Sequence, residues 1–246
     1  MATMTLDDLV QQLGKAFGDG LRSVVLYGSA AAGAHIARRS DYNVLVLVDS
    51  IDLDLLDREA AIARAWAEAG NPPPLTLTLR EWRGSSDIFP MEYADILRHH
   101  KVLHGDAPFD GITVRRADLR LELEQQTMGK LLQLRRGILA SGGDRKRLVE
   151  LLGASLSTFM VIFRSVVRYL GEDPPTDYDA LCKRVTALTG IGTEQFARVV
   201  RHVRGERKLA ESEVTPVLAG YLETARELAH YIDQLPSADT GESEAP

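Results

Sequence analysis

Cysteine is almost missing from this chain: Cys182 is the only one in 246 residues. One thiol rules out an intrachain disulfide and any metal site built on several cysteine sulfurs, and it fits a reducing compartment. An excess of positive charge is missing too. The formal net charge of -6 argues against a nucleic-acid partner, because neutralising phosphates takes clustered lysine and arginine. The N-terminus, Met1-Ala-Thr-Met-Thr-Leu-Asp-Asp8, lacks the basic stretch and apolar core of a secretory signal, so the expected location is the cytoplasm. A clean membrane-spanning run is also lacking. Leu151 to Leu170 is long and apolar, but Arg164 and Arg168 interrupt it, and each would cost about 2.5 to 3.5 kcal/mol at a bilayer centre. It reads as a buried bundle helix, with no membrane partner.

What is present suggests two domains. With 45% hydrophobic residues, the chain can bury one large core or two modest ones. Residues 1–110 carry 10 basic and 16 acidic side chains, whereas residues 111–236 carry 19 basic and 16 acidic. The second part is thus mildly basic and tolerates a phosphate-bearing partner.

Thr5 and Asp8 resemble a capping box, and Leu6, Leu9, Val10, Leu13 and Phe17 follow at helical spacing. Ser23 to Tyr27 is a short apolar strand. Gly28 to Arg38 is rich in small residues and reads as helical, and Tyr42 to Val48 reads as a strand buried on both faces in mid-sheet. Asp52 caps an expected helix from Leu53 to Glu68, stopped by Gly70 and Pro72 to Pro74. Leu75 to Leu79 alternates with a period of two, placing Thr76 and Thr78 on the face opposite the leucines. A helix from Pro90 to His99 and a strand from Lys101 to Leu103 complete an α/β unit with a small mixed sheet, residues 1–110. Helical spacing then runs through Leu119 to Leu139, Leu148 to Leu170, Tyr178 to Leu188, Phe196 to Val203 and Val214 to Leu235. Residues 111–236 therefore read as an all-α helical bundle, and the acidic tail 237–246 as disordered.

The chemically specific stretch ends the first strand. Gly28-Ser29 is followed, after eleven residues, by Asp41-Tyr42-Asn43 at the start of the next strand. Residues two apart on a strand share a face, so Asp41 and Asn43 point into one site. Gly28 lets backbone approach a phosphate, and Ser29 with helix-start amides supplies donors. This spacing resembles the nucleotidyltransferase superfamily: the DNA polymerase beta-like, antibiotic and minimal nucleotidyltransferases, whose pattern is Gly-Ser, a similar gap and Asp-x-Asp. The resemblance implies an α/β nucleotidyltransferase-like domain, with Gly28 and Ser29 holding a nucleoside triphosphate. It also implies Asp41 and Asn43 as metal and catalytic positions, Mg²⁺ as the cofactor, and a small-molecule or protein acceptor.

Asn43 departs from that pattern, since its carbonyl can bind Mg²⁺ but brings no charge. The family's third acid would come from the strand beginning at Leu75, whose polar face offers Thr76, Thr78 and Arg80. Glu81 has the opposite parity, and Asp49 lies about 26 Å from Asp41 along the strand. With Asn43 and Thr78 where carboxylates are expected, nucleotide binding should persist while nucleotidyl transfer is weakened or lost, leaving a degenerate active site. The alternatives are a non-catalytic nucleotide-sensing or protein-interaction module and, as a third, a HEPN-like ribonuclease half.

Other residues carry weaker signals. Glu92 is either a late-arriving base or metal ligand, or an exposed carboxylate near the start of a helix. His99 and His100 are adjacent and cannot share a helix face as metal ligands. Arg198 with His202, and Arg226 with His230, resemble the Arg-His motif of HEPN ribonucleases, but their spacing is too short and solvated helix faces explain them better. Arg164 and Arg168 either meet a triphosphate or pair with acids such as Glu122 or Glu124, with the ion pair favoured.

Overall fold

In the computed structural model, residues 4–31 and 42–236 are described; residues 1–3, 32–41 and 237–246 lie outside the described set, as does the Ser29 side chain. The tail expected to be disordered and Asp41 therefore fall outside it. The chain divides into two compact units, Met1–Val114 and Arg115–Pro246.

The first unit opens with helix α1, Leu6–Phe17, where the Thr5 hydroxyl and the Asp8 carboxylate cap each other's backbone amides. Leu9, Leu13 and Phe17 form its buried face. Strand β1, Leu21–Tyr27, follows, then a single 3₁₀ turn, Gly28–Ala30. That turn occupies the start of the helix expected from Gly28 to Arg38; the rest lies in 32–41, outside the described residues. Strand β2 is Asn43–Val48. Helix α2, Leu53–Glu68, has the bounds expected from its Asp52 cap, whose carboxylate accepts the Leu55 amide at 2.7 Å.

Strand β3 is Leu75–Thr78, and the alternating run then turns into helix α3, Leu79–Gly84. Thr78 and Glu81 form a second capping box. The Thr-x-x-Glu pattern thus ends the strand one residue before Leu79. Helix α4, Pro90–Arg98, uses proline at its first position, where the missing N–H costs nothing. Strand β4, His100–Gly105, ends the sheet.

The sheet order is β3-β2-β1-β4. β1 runs antiparallel to β2 and β4, and β2 runs parallel to β3, so the sheet is mixed. Its two faces have separate cores. Val24, Leu26, Val44, Val46 and Val48 pack with Leu9, Leu13, Ile62 and Trp66 of α1 and α2. Val25, Leu45 and Leu47 pack with Trp82, Tyr93 and Ile96 of α3 and α4. Burial on both faces accounts for the unbroken apolar β2.

The second unit is helical: α5 Arg116–Ser141, α6 Arg145–Tyr169, α7 Tyr178–Thr189, α8 Glu194–Val203 and α9 Val214–Asp233. The chain is thus an α/β region with a small mixed sheet followed by a helical region. α6 is long and apolar enough to cross a membrane by length and composition, and here it packs against α5, α7, α8 and α9. Gly137 permits the α5–α6 approach, since a Cβ there would come within 2.5 Å of Leu151. At the centre the Phe196 and Tyr221 rings stack at 3.7 Å, and Phe159 meets them edge-on at 5.2 and 5.6 Å. Cys182 is buried in this unit, and burial pushes its thiol up to about 12, so it stays protonated and unreactive at neutral pH.

Candidate functional site

β1 and β2 bring the two halves of the sequence motif together. Tyr27 lies opposite Asn43 in the antiparallel ladder, so Gly28 follows directly beyond that pair. Gly28 has φ +76°, in the left-handed region, and its N–H donates to the His99 carbonyl at 3.0 Å. This bond ties the end of β1 to the α4–β4 junction. It also occupies the Gly28 amide, so a phosphate at this turn would rely on the amides that follow.

A Cβ at Gly28 would meet Asn43 Nδ2 at 3.5 Å and Asp95 Oδ2 at 3.8 Å. The carboxamide of β2 and a carboxylate of α4 therefore converge on the bare backbone of Gly28. Tyr27 stands beside them. Burial raises its phenol above the ordinary range, and the charges of Asp95 and then Glu92 push in the same direction. Asp95 and Glu92 are one turn apart on α4 and thus share a face. Glu92, a candidate from the sequence, stands close enough to act on this site, and Asp95 is the residue the sequence reading missed. The available signal was an acid three residues beyond Glu92.

α4 is held firmly in place. The Tyr93 hydroxyl donates to the Trp82 carbonyl at 2.6 Å, and the two rings stack at 4.2 Å. Burial pushes the Tyr93 phenol up to about 12, so it remains a donor through neutral pH. Trp82 Nε1 in turn donates to the Pro108 carbonyl at 2.7 Å.

Thr78 does not face this site, contrary to the sequence reading. The parallel register pairs Val46 with Thr76 and Val48 with Thr78, and directly paired residues share a face. Both threonines therefore lie on the α1–α2 side, opposite Asn43. Thr76 donates to the Glu59 carboxylate of α2, and Thr78 caps α3. The β3 positions on the Asn43 face are Leu75 and Leu77, so the strand offers that face hydrocarbon. Burial holds the Glu59 carboxyl above its ordinary range, while the Thr76 hydrogen bond opposes that shift.

Among the described residues, no group of three or more His, Cys, Asp and Glu side chains is placed to hold a metal. His100 Nδ1 lies 2.9 Å from the Ile96 carbonyl, and its ring packs on Phe109. In the second unit Arg198 bridges Glu213, and His202 Nδ1 accepts the Leu209 amide at 3.0 Å. Arg226 bridges Glu223. Arg198 and His202 thus make contacts within the helical unit, and Arg226 pairs along its own helix. Arg164 lies over the Tyr178 ring at 5.3 Å, and Glu124 bridges Arg120.

No family model matches the sequence, and no curated protein matches it. The fold does have a match: spectinomycin adenyltransferase AAD(9) from Enterococcus faecialis, solved with ATP and spectinomycin. The similarity spans 93% of this chain and 98% of that one, with a TM-score of 0.57 and 12% identity. At that identity the likeness is one of architecture, and over nearly its whole length this chain has a nucleotidyltransferase-like fold.

Proposed function

We propose that the chain binds a nucleoside triphosphate at Gly28, Ser29 and Asp41, and that nucleotidyl transfer there is weakened or lost. The observation that carries this reading is the convergence of Asn43 and Asp95 on the left-handed Gly28, at the end of β1 in a nucleotidyltransferase-like sheet. The bare glycine leaves room for a phosphate, and the turn that follows offers further amides.

The donor set fits one Mg²⁺ arriving on nucleotide phosphates, which asks for one or two carboxylates from the protein. It does not fit a pair of ions sharing bridging carboxylates, because Asn43 is neutral and β3 presents Leu75 and Leu77 to that face. When bound, Mg²⁺ would neutralise phosphate charge, with Asp41 and Asp95 as its anionic ligands and Asn43 as a neutral one. Burial, followed by the charges of Asp95 and Glu92, also keeps the Tyr27 phenol protonated. The structurally similar enzyme was solved with ATP and an antibiotic; by analogy, the acceptor is a small molecule if transfer persists.

A second reading, a nucleotide sensor without turnover, is favoured by the hydrocarbon face of β3. Calorimetry with ATP, GTP, CTP and UTP, with and without Mg²⁺, on the native chain and on Asp41→Ala tests both. Mg²⁺-dependent binding lost in Asp41→Ala supports the site. Binding of no nucleotide overturns both readings, and binding without label transfer to any acceptor selects the sensor.

A further inference from the structure

Between α8 and α9 the chain loops out over residues 204–213 and is fastened back onto α8 at three points. Near the helix end Gly205, at φ +77°, donates its amide to the His202 carbonyl at 3.1 Å, and the Glu206 amide reaches the Arg201 carbonyl at 2.9 Å. At the far end the Ala210 amide donates to the Glu213 carboxylate at 2.9 Å, which Arg198 of α8 and Arg207 both bridge. Between them the Leu209 amide donates to His202 Nδ1 at 3.0 Å.

This last fastening depends on a proton. A ring nitrogen accepts an amide only while it carries no hydrogen itself, so the bond fixes the neutral ring with its proton on Nε2. Once His202 takes up a second proton, Nδ1 becomes a donor aimed at a donor. Among the described residues, the carboxylates around this segment are already engaged. On α8 Arg198 holds Glu213, and Arg201 holds Asp179 of α7 at 3.5 Å. Arg204 bridges Asp177 at 2.7 Å and lies 3.9 Å from Glu206. On the α6 side Arg145 bridges Glu211 at 2.8 Å and Glu150 is exposed to solvent, while residues 214–221 of α9 carry no charge. Burial, and then the charge of Lys208, hold the His202 imidazole below the usual histidine range.

The sign follows from that direction. The His202 fastening is fully present above the ordinary histidine pKa and is lost as pH falls through the lower, folded value. The far end lasts longer. The Ala210 amide, and then the charges of Arg198 and Arg207, hold the Glu213 carboxyl below the ordinary glutamate range.

We propose that residues 204–213 form an acid-released strap, in which protonation of His202 frees the Leu209 amide and opens the middle of the loop while Glu213 keeps its far end closed. The device is a local, reversible change in the link between α8 and α9 and leaves the helices themselves folded.

NMR on the full chain tests this. At pH 8 the His202 ring should show an unprotonated Nδ1 and a protonated Nε2. The exchange protection of the Leu209 amide should fall about five- to tenfold between pH 8 and about pH 4.5, the size of one lost hydrogen bond. Protection of the Ala210 amide should hold over the same range. His202→Asn, which has an amide oxygen but takes up no proton, should abolish the pH dependence at Leu209. A protonated Nδ1 at pH 8, Leu209 protection that ignores pH, Ala210 opening in step with Leu209, or pH dependence persisting in His202→Asn overturns the proposal.

Discussion

Asn43 and Asp95 meet over the same backbone position. The Asn43 carboxamide nitrogen lies 3.5 Å and the Asp95 carboxylate oxygen 3.8 Å from where Gly28 would carry a side chain. One residue comes from a strand and the other from a helix about fifty positions later, and the His99 carbonyl that accepts the Gly28 amide locks the two segments together.

The sharpest test of the site concerns which residue replaces a missing acid. Asn43→Asp should raise Mg²⁺-dependent nucleotide affinity about tenfold, because it restores an anionic oxygen beside Gly28. Thr78→Asp should leave affinity unchanged and the fold intact, since aspartate caps a helix as well as threonine does. Thr78→Ala should cost about 1 kcal/mol of stability through the lost α3 cap. Calorimetry and thermal melts on the three variants separate these outcomes.

Asp95→Asn should weaken Mg²⁺-dependent nucleotide binding about five- to tenfold with little loss of stability. It should also lower the pKa of Tyr27, whose phenol is held up by burial and by the charges of Asp95 and Glu92. An NMR titration of the ring-labelled Tyr27 reads that shift directly, without any nucleotide present.

Glu59 sets a pH dependence. Its folded-state pKa is raised by burial, so the native state holds its proton more tightly than the unfolded chain does. The group's contribution is therefore fully present below the ordinary glutamate pKa and is lost as pH rises through the folded value. Glu59→Gln keeps an acceptor for Thr76 and removes the charge. At pH 7 it should stabilise the fold by about 1 kcal/mol and shift Tm upward by a few degrees. At pH 4 the gain should vanish.

Phe196→Ala should be the costliest change in the bundle, at about 3 to 5 kcal/mol, because it opens a cavity beneath Tyr221 and Phe159. Urea unfolding should show a lower midpoint with an unchanged slope.

Much of this architecture is written locally in the sequence. Asp52 and Gly70 bracket α2, the apolar run from Val44 to Val48 announces an interior strand, and the Leu-Thr alternation marks β3. Periodicity, however, states only that β3 has two faces. Which face meets Asn43 depends on the register with β2, a long-range property, and the register places Thr76 and Thr78 on the far side. Asp95 was illegible for a related reason. Nothing in the spacing along α4 tells that this helix folds back over Gly28, and that placement comes from the Trp82–Tyr93 stack beneath it.

That stack also makes the protein legible to light. Only two tryptophans are present, Trp66 and Trp82, and they report on opposite faces of the sheet. Trp82 lies against Tyr93, two residues from Asp95, and its indole nitrogen is hydrogen-bonded to the Pro108 carbonyl. With Trp66→Phe, its emission becomes an intrinsic signal for events at Gly28, so the site can be interrogated with no label attached.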